Sequence, residues 1–224
     1  MRWQDKGFLL GINKYNENSA IAEFFTENNG KTSGVIFGSS SKKIKNYLLI
    51  GNKFHINFNA KNESRIGYFK LEIDDIVTPK YLENKKKLHC IVYVMSIVKL
   101  LTVENEENKI IFDLINSFFE SLNKENWLLN FIFWELNFYK CIGYDIDFKN
   151  YVKNVVIDGN EKFIVESTNK TIPGFLIKND IYPNNKQDII SGFKIVGEFL
   201  DKTILKPNNL NFPSSRIELA NLIK

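Results

Sequence analysis

Between residues 3 and 76 the chain alternates short apolar runs with polar turns that carry Gly or Asn. The runs "KGFLLGINKY" (6–15), "AIAEFFTE" (20–27), "KTSGVIFG" (31–38), "KFHINFNA" (53–60) and "RIGYFKLEI" (65–73) predict five strands, and "ENNGK" (27–31) predicts a tight hairpin. In the fourth run Phe54, Ile56 and Phe58 alternate with Lys53, His55, Asn57 and Asn59, so one face belongs to a core and the other is polar. Five short antiparallel strands within about 75 residues predict a small barrel of the OB type.

Past residue 77 the apolar period lengthens to that of a helix. "TPKYLENKKKLHCIVYVMSIVKLL" (78–101) has Pro79 in its first turn and one apolar face through Leu88, Ile91, Val92, Met95, Val98 and Leu101. "NKIIFDLINSFFESLN" (108–123) repeats the signal. "KENWLLNFIFWELNFYKCIG" (124–143) is apolar nearly all round and ends at Gly143 in a C-cap position, which predicts the most buried helix. Residues 144–177 lose this period and predict strands at "NVVID" (154–158), "EKFIVES" (161–167) and "GFLIK" (174–178), with "DGN" (158–160) as a turn. Helical spacing returns in "KQDIISGFKIVGEFLDKTI" (186–204) and in "SSRIELANLI" (214–223), where Ser215 and Glu218 suit a capping box. The expected fold class is α+β: an OB-fold barrel over 1–77, then a helical domain over 78–224 with a β-ribbon insertion at 144–179.

The net charge of +4, from 30 basic and 26 acidic residues, says little about partners, but its distribution says more. From Lys31 to Lys70 there are eight basic residues (Lys31, Lys42, Lys43, Lys45, Lys53, Lys61, Arg65 and Lys70) against Glu63 alone, so the remainder of the chain is net negative. Three of these lysines fall in one loop, "GSSSKKIKNY" (38–47). A confined basic field is the footprint of a phosphate-binding surface, whereas lysines along strand edges serve equally to block aggregation. Planar side chains interleave with the cations, as a groove for single-stranded nucleic acid requires. The candidate contacts are therefore Lys31, Lys42, Lys43, Lys45, Tyr47, Lys53 and Arg65, with His55 and Tyr68 on the same polar positions. Phe54, Phe58 and Phe69 fall on the alternate positions and belong to the core, and Tyr47 and Tyr68 fit half-buried barrel positions as well as stacking ones.

Catalytic constellations are missing from the pattern. His55 and His89 have no cysteine or carboxylate at ligand spacing, and the pairs Asp74/Asp75 and Asp145/Asp147 read as ends of elements. Cys90 and Cys141 lie within apolar helical patterns and read as packed, reduced thiols of a cytosolic protein. The apolar core at Phe8–Ile12 is too short for a signal peptide. The apolar stretches 91–101 and 127–134 fall short of the ~18–20 residues that span a bilayer. The residues thus favour a non-enzymatic binding protein without cofactor or membrane. A general RNA- or single-strand-binding OB module and a protein-binding adaptor stay open beside a DNA-binding one.

The order of parts resembles the RecO family of bacterial recombination mediators. In "GFLLGINKYNENSAIAEFFTENNGKTSGVIFG" (7–38) the resemblance lies in the Gly7–Gly11 strand, Tyr15 and Glu17, Phe25-Thr26, Gly30-Lys31, and Gly38 before a basic loop. "GN" (51–52), "IGYFKLE" (66–72), "CIGYDIDF" (141–148), "VVIDGNEKFIVES" (155–167) and "GEFLDKTI" (197–204) extend it over essentially the whole chain. The resemblance implies a cytoplasmic, nucleoid-associated, non-enzymatic protein of double-strand-break and gap repair, of the RecF-pathway type. Such proteins bind single- and double-stranded DNA and anneal complementary strands. With RecR they load RecA onto DNA coated by the single-strand-binding protein, whose C-terminal tail is a further partner. Lys42, Lys43 and Lys45 occupy the loop that carries an Arg/Lys cluster in the family. Two departures stand out. Ser39, Ser40 and Ser41 follow the loop glycine where relatives carry arginines, which implies point-charge contacts in place of bidentate ones. The segment 144–179, where many relatives hold zinc with four cysteines, has none here, so the ribbon is expected to rest on packing around Val155, Ile157, Phe163 and Val165.

Overall fold

Alternation over the first third of the chain folds into five strands: β1 (Arg2–Asn16), β2 (Ser19–Thr26), β3 (Gly30–Phe37), β4 (Lys53–Asn59) and β5 (Gly67–Asp75). The computed structural model describes residues 1–62, 66–157, 160–166, 169–178, 180–183 and 185–224. The strands close into a barrel in the order β1-β2-β3-β5-β4. One seam departs from the antiparallel expectation: β3 and β5 pair in parallel, with Gly34 opposite Gly67, Val35 opposite Tyr68 and Ile36 opposite Phe69. Five is odd, so strand direction cannot alternate all the way round a closed ring, and one seam has to be parallel. Glycine occupies both sides of that seam because the core rings come up against it. A Cβ on Gly34 would lie 2.7 Å from the Phe69 ring, and one on Gly67 would overlap the Phe58 ring.

Inside the barrel Phe24 sits edge-on to Phe54 at 5.7 Å and to Phe69 at 5.2 Å between centroids. Leu9, Ile36, Ile56 and Phe58 fill the rest of this core, as the alternation in β4 predicts. β1 is buried on both faces from Gly7 to Gly11, which a barrel alone cannot achieve. Its outer face is covered by helices.

The helices are α1 (Lys42–Lys45), α2 (Lys85–Leu101), α3 (Lys109–Ser121), α4 (Trp127–Cys141), α5 (Lys186–Phe199) and α6 (Ser214–Ile223). A small sheet of β6 (Val152–Ile157), β7 (Asn160–Val165) and β8 (Thr171–Ile172) follows α4. Phe8 on β1 packs against Phe112 and Phe119 of α3, both at 5.4 Å. Packing accordingly groups α2 and α3 with the barrel. One compact unit is Met1–Phe119 with Pro213–Leu222, and the other is Glu120–Phe212 with Ile223–Lys224. The switch of period at 77/78 marks a change of element, while the apolar outer face of β1 requires helical cover beyond it.

Several boundaries move for identifiable reasons. Thr78–Tyr81 forms a 3₁₀ turn, and α2 starts only after Asn84, whose side chain accepts from Lys87 N at 3.1 Å as an N-cap. The segment 174–178 is not a strand: Gly174–Leu176 is a 3₁₀ turn that buries Phe175, and the third strand is β8. Past α5 the backbone runs in π-helical form through Leu200–Leu205. α6 begins at Ser214, which puts Ser215 inside the first turn rather than at the cap. Asp158 and Gly159 of the expected "DGN" turn lie outside the described residues. α4 is apolar on most sides, and its buried Glu135 accepts from the Tyr139 hydroxyl at 3.0 Å.

The residues at 144–179 do not fit a zinc site, since the segment contains neither cysteine nor histidine. Phe163, Ile172, Phe175 and Ile177 are buried there instead. Val155 stands 38 % exposed, and the side chain of Ile157 lies outside the described residues. Lys178 closes the ribbon by pairing with Glu161 at 2.7 Å and lying 5.3 Å over the Phe163 ring. We expect a chelator to leave the thermal midpoint of the purified protein unchanged; stoichiometric zinc in elemental analysis, lost together with stability on chelation, would contradict this.

Candidate nucleic-acid interface

At the end of β3 the chain turns through Gly38, whose φ of +71° favours glycine. The turn between β1 and β2 holds this loop in place. Gly38 N and Ser39 N donate to Asn18 O at 2.7 and 3.2 Å, and Ser40 Oγ donates to Asn18 Oδ1 at 2.6 Å. Ser41 N donates to Gly38 O at 3.0 Å, and α1 follows as a single turn. Ile44 and Leu48 pack against the barrel core, which leaves Lys42 and Lys45 exposed. These two are three apart on one turn and share a face. Among the described residues neither forms an ion pair. Lys43 is in the same helix, and its side chain is outside the described residues. Tyr47 is 40 % exposed, with its carbonyl accepting from Asn52 Nδ2 at 2.9 Å. The expected loop is thus a one-turn helix pinned to the barrel by its apolar residues.

Two other expected contacts are committed elsewhere. Lys31 Nζ donates to the carbonyls of Lys99 at 2.8 Å and Thr102 at 2.5 Å, at the end of α2 where carbonyls lack helical partners. Burial pushes its pKa below the ordinary lysine value, against the opposing pull of Glu104 and Glu23. Lys53 Nζ donates to Asn116 Oδ1 at 3.0 Å and lies 5.2 and 5.1 Å over the Phe8 and Phe112 rings. Both side chains tie the barrel to its covering helices and are not free to meet phosphate. Arg65 lies outside the described residues. Asp74 gathers Lys53 at 4.0 Å, His55 at 2.8 Å and Lys6 at 3.6 Å, so it does more than end a strand. The positive field counted along 31–70 is therefore smaller in space than in sequence: among the described residues its exposed cations without an ion pair are Lys42 and Lys45 on α1, with Lys61 and Lys70.

A further feature escaped the sequence pattern. Phe37, the last residue of β3, is 63 % exposed, and its ring lies 5.9 Å from that of Tyr68 on β5 at 53°. Parity was the available signal: Lys31, Ser33 and Phe37 share the outer side of β3, but the apolar run "GVIFG" hid it. Lys70, two positions beyond Tyr68 on β5, and Lys61, in the connection from β4, are exposed and form no ion pair among the described residues.

Among the described residues no group of three or more His, Cys, Asp or Glu is placed to hold a metal ion. Among them, too, no helix is long and apolar enough to cross a membrane. Two family models match the chain, "Recombination protein O N terminal" over residues 1–73 and "Recombination protein O C terminal" over residues 82–169. Proteins named DNA repair protein RecO are similar over the whole chain. The one from Ehrlichia chaffeensis is 27 % identical, with 100 % of this chain and 98 % of that protein covered. The one from a Wolbachia of Drosophila simulans is 27 % identical, covering 100 % and 99 %, and that of Bartonella quintana is 24 % identical, covering 100 % and 98 %. With a closed five-stranded barrel at the N-terminus, helices and a small sheet after it, and both family models matched in order, the chain belongs to the RecO family of recombination proteins.

Proposed function

We propose that this protein is a cytoplasmic, DNA-binding recombination mediator that anneals complementary strands and, with RecR, helps load RecA onto DNA coated by the single-strand-binding protein. The observation that carries the reading is α1: a helix pinned by Ile44 and Leu48 that presents Lys42 and Lys45 to solvent, with no carboxylate partner among the described residues. Such cations meet phosphates without base preference, which is what annealing of arbitrary sequences requires. Two strands coated with cations repel less, and contacts that are individually weak and salt-dependent allow the strands to slide into register. Lysine ammonium groups suit this exchange better than bidentate arginines would. Chemistry on the DNA is no part of this role.

The test is assembly of RecA on single-stranded DNA coated by the single-strand-binding protein, measured with RecR and with or without this protein. Faster assembly only when both are present is expected. No acceleration, or RNA competing for binding as well as matched single-stranded DNA, would favour a general binding module instead.

A further inference from the structure

We infer that Phe37 and Tyr68 form a stacking platform for unpaired DNA bases, and that this pair gives the barrel a preference for single strands over duplex. The inference rests on the functional reading above and adds to it the part of the DNA that the site selects.

Phe37 is 63 % and Tyr68 37 % exposed, while every other phenylalanine of the barrel strands is buried. The two rings lie on the outer wall across the parallel β3–β5 seam, where Val35 is opposite Tyr68. Their centroids are 5.9 Å apart and their planes 53° apart, so they touch without covering each other's outer faces. The end of α2 reaches this side of β3 only at Lys31, and the connection after it only as far as Ser33, which leaves Phe37 and Tyr68 exposed. Phe37 precedes Lys42 by five residues, at most about 18 Å of chain, and the turn at Gly38 shortens that path. Lys70 follows Tyr68 by two positions on the same outer face of β5, and Lys61 lies in the connection from β4.

Aromatic faces accompanied by exposed lysines match a strand whose bases are free and whose phosphates run alongside. In a duplex the base faces are already stacked on one another, so only the phosphates remain for contact. The platform is therefore silent toward duplex, and the lysines serve both forms.

Binding of fluorescein-labelled oligo-dT, an abasic oligonucleotide of equal length and a duplex would be measured by anisotropy on the full chain. The wild-type protein is expected to prefer oligo-dT over the abasic strand by at least about fivefold, the weaker end of base–aromatic stacking. Phe37→Ala with Tyr68→Ala should remove that preference and leave duplex affinity and salt slope as they were. Phe37→Leu with Tyr68→Leu keeps the apolar bulk and serves as the second variant; it should lose the preference too. Retained preference in either variant overturns the inference. So does an equal loss for all three ligands, which would mark the rings as structural. A wild-type protein that binds none of the three at low salt overturns the functional reading and this inference with it, whereas phosphate binding without any base preference overturns the inference alone.

Discussion

Replacing Lys42, Lys43 and Lys45 together by alanine should weaken binding to single-stranded DNA about a hundredfold at 0.1 M salt and flatten the salt dependence by about two units. Each phosphate contact with a single strand releases about 0.7 of a counterion, so three contacts contribute about two powers of the salt concentration. The loss should be uniform across sequences, because phosphate contacts carry no base information. The fold should persist, since Lys42 and Lys45 are exposed, form no ion pair among the described residues, and the helix is held by Ile44 and Leu48. A titration of affinity against salt for both proteins reads the effect directly. An unchanged slope would place the DNA surface elsewhere. Lys31→Ala, by contrast, removes a side chain already bonded to the end of α2 and leaves the slope as it was.

The largest effect on stability is expected from Phe24→Ala. This ring is fully buried and meets both Phe54 and Phe69 edge-on, so its loss opens a cavity where three strands converge. Truncating a buried phenylalanine costs about 3–5 kcal/mol, a large share of the ~5–15 kcal/mol that holds a typical domain together. Urea unfolding followed by circular dichroism should show the transition move to markedly lower denaturant. Val156→Ala, at a 70 % exposed position of β6, is the matched control and should change stability by no more than about 0.5 kcal/mol. Equal effects from the two substitutions would contradict the barrel core described above.

The strands of the barrel were legible because alternation has one reading when a small barrel must bury one face. Phe54, Ile56 and Phe58 point inward as expected, and only the parallel seam had to come from counting strands. The one-turn α1 was not legible. Four residues rich in lysine do not make a helix by themselves, and this one exists because Ile44 and Leu48 find the barrel core. The apolar run at 174–178 reads as a strand from its composition, but it forms a turn that buries Phe175 against α5 at Gly192, a partner that the local pattern does not reveal.

The exposure of Lys42 and Lys45 was legible in the sequence, whereas the engagement of Lys31 and Lys53 with other parts of the chain was not. A charge count along the chain sees neighbours in sequence only. The partners that draw in Lys31 and Lys53 are carbonyls at Thr102 and Lys99, the amide of Asn116 and the carboxylate of Asp74, all distant in sequence. Phe37 was hidden for the opposite reason: an apolar residue at the end of an apolar run looks like core until the pairing of β3 with β5 sets its side.

The most direct test of the mediator role is the rate at which two complementary oligonucleotides anneal in the presence of this protein. The wild-type chain should accelerate annealing, and Lys42→Glu, Lys43→Glu and Lys45→Glu combined should abolish the acceleration while the circular dichroism spectrum stays the same. A folded triple variant that anneals at the wild-type rate, or a wild-type protein that leaves the spontaneous rate unchanged, would contradict the account.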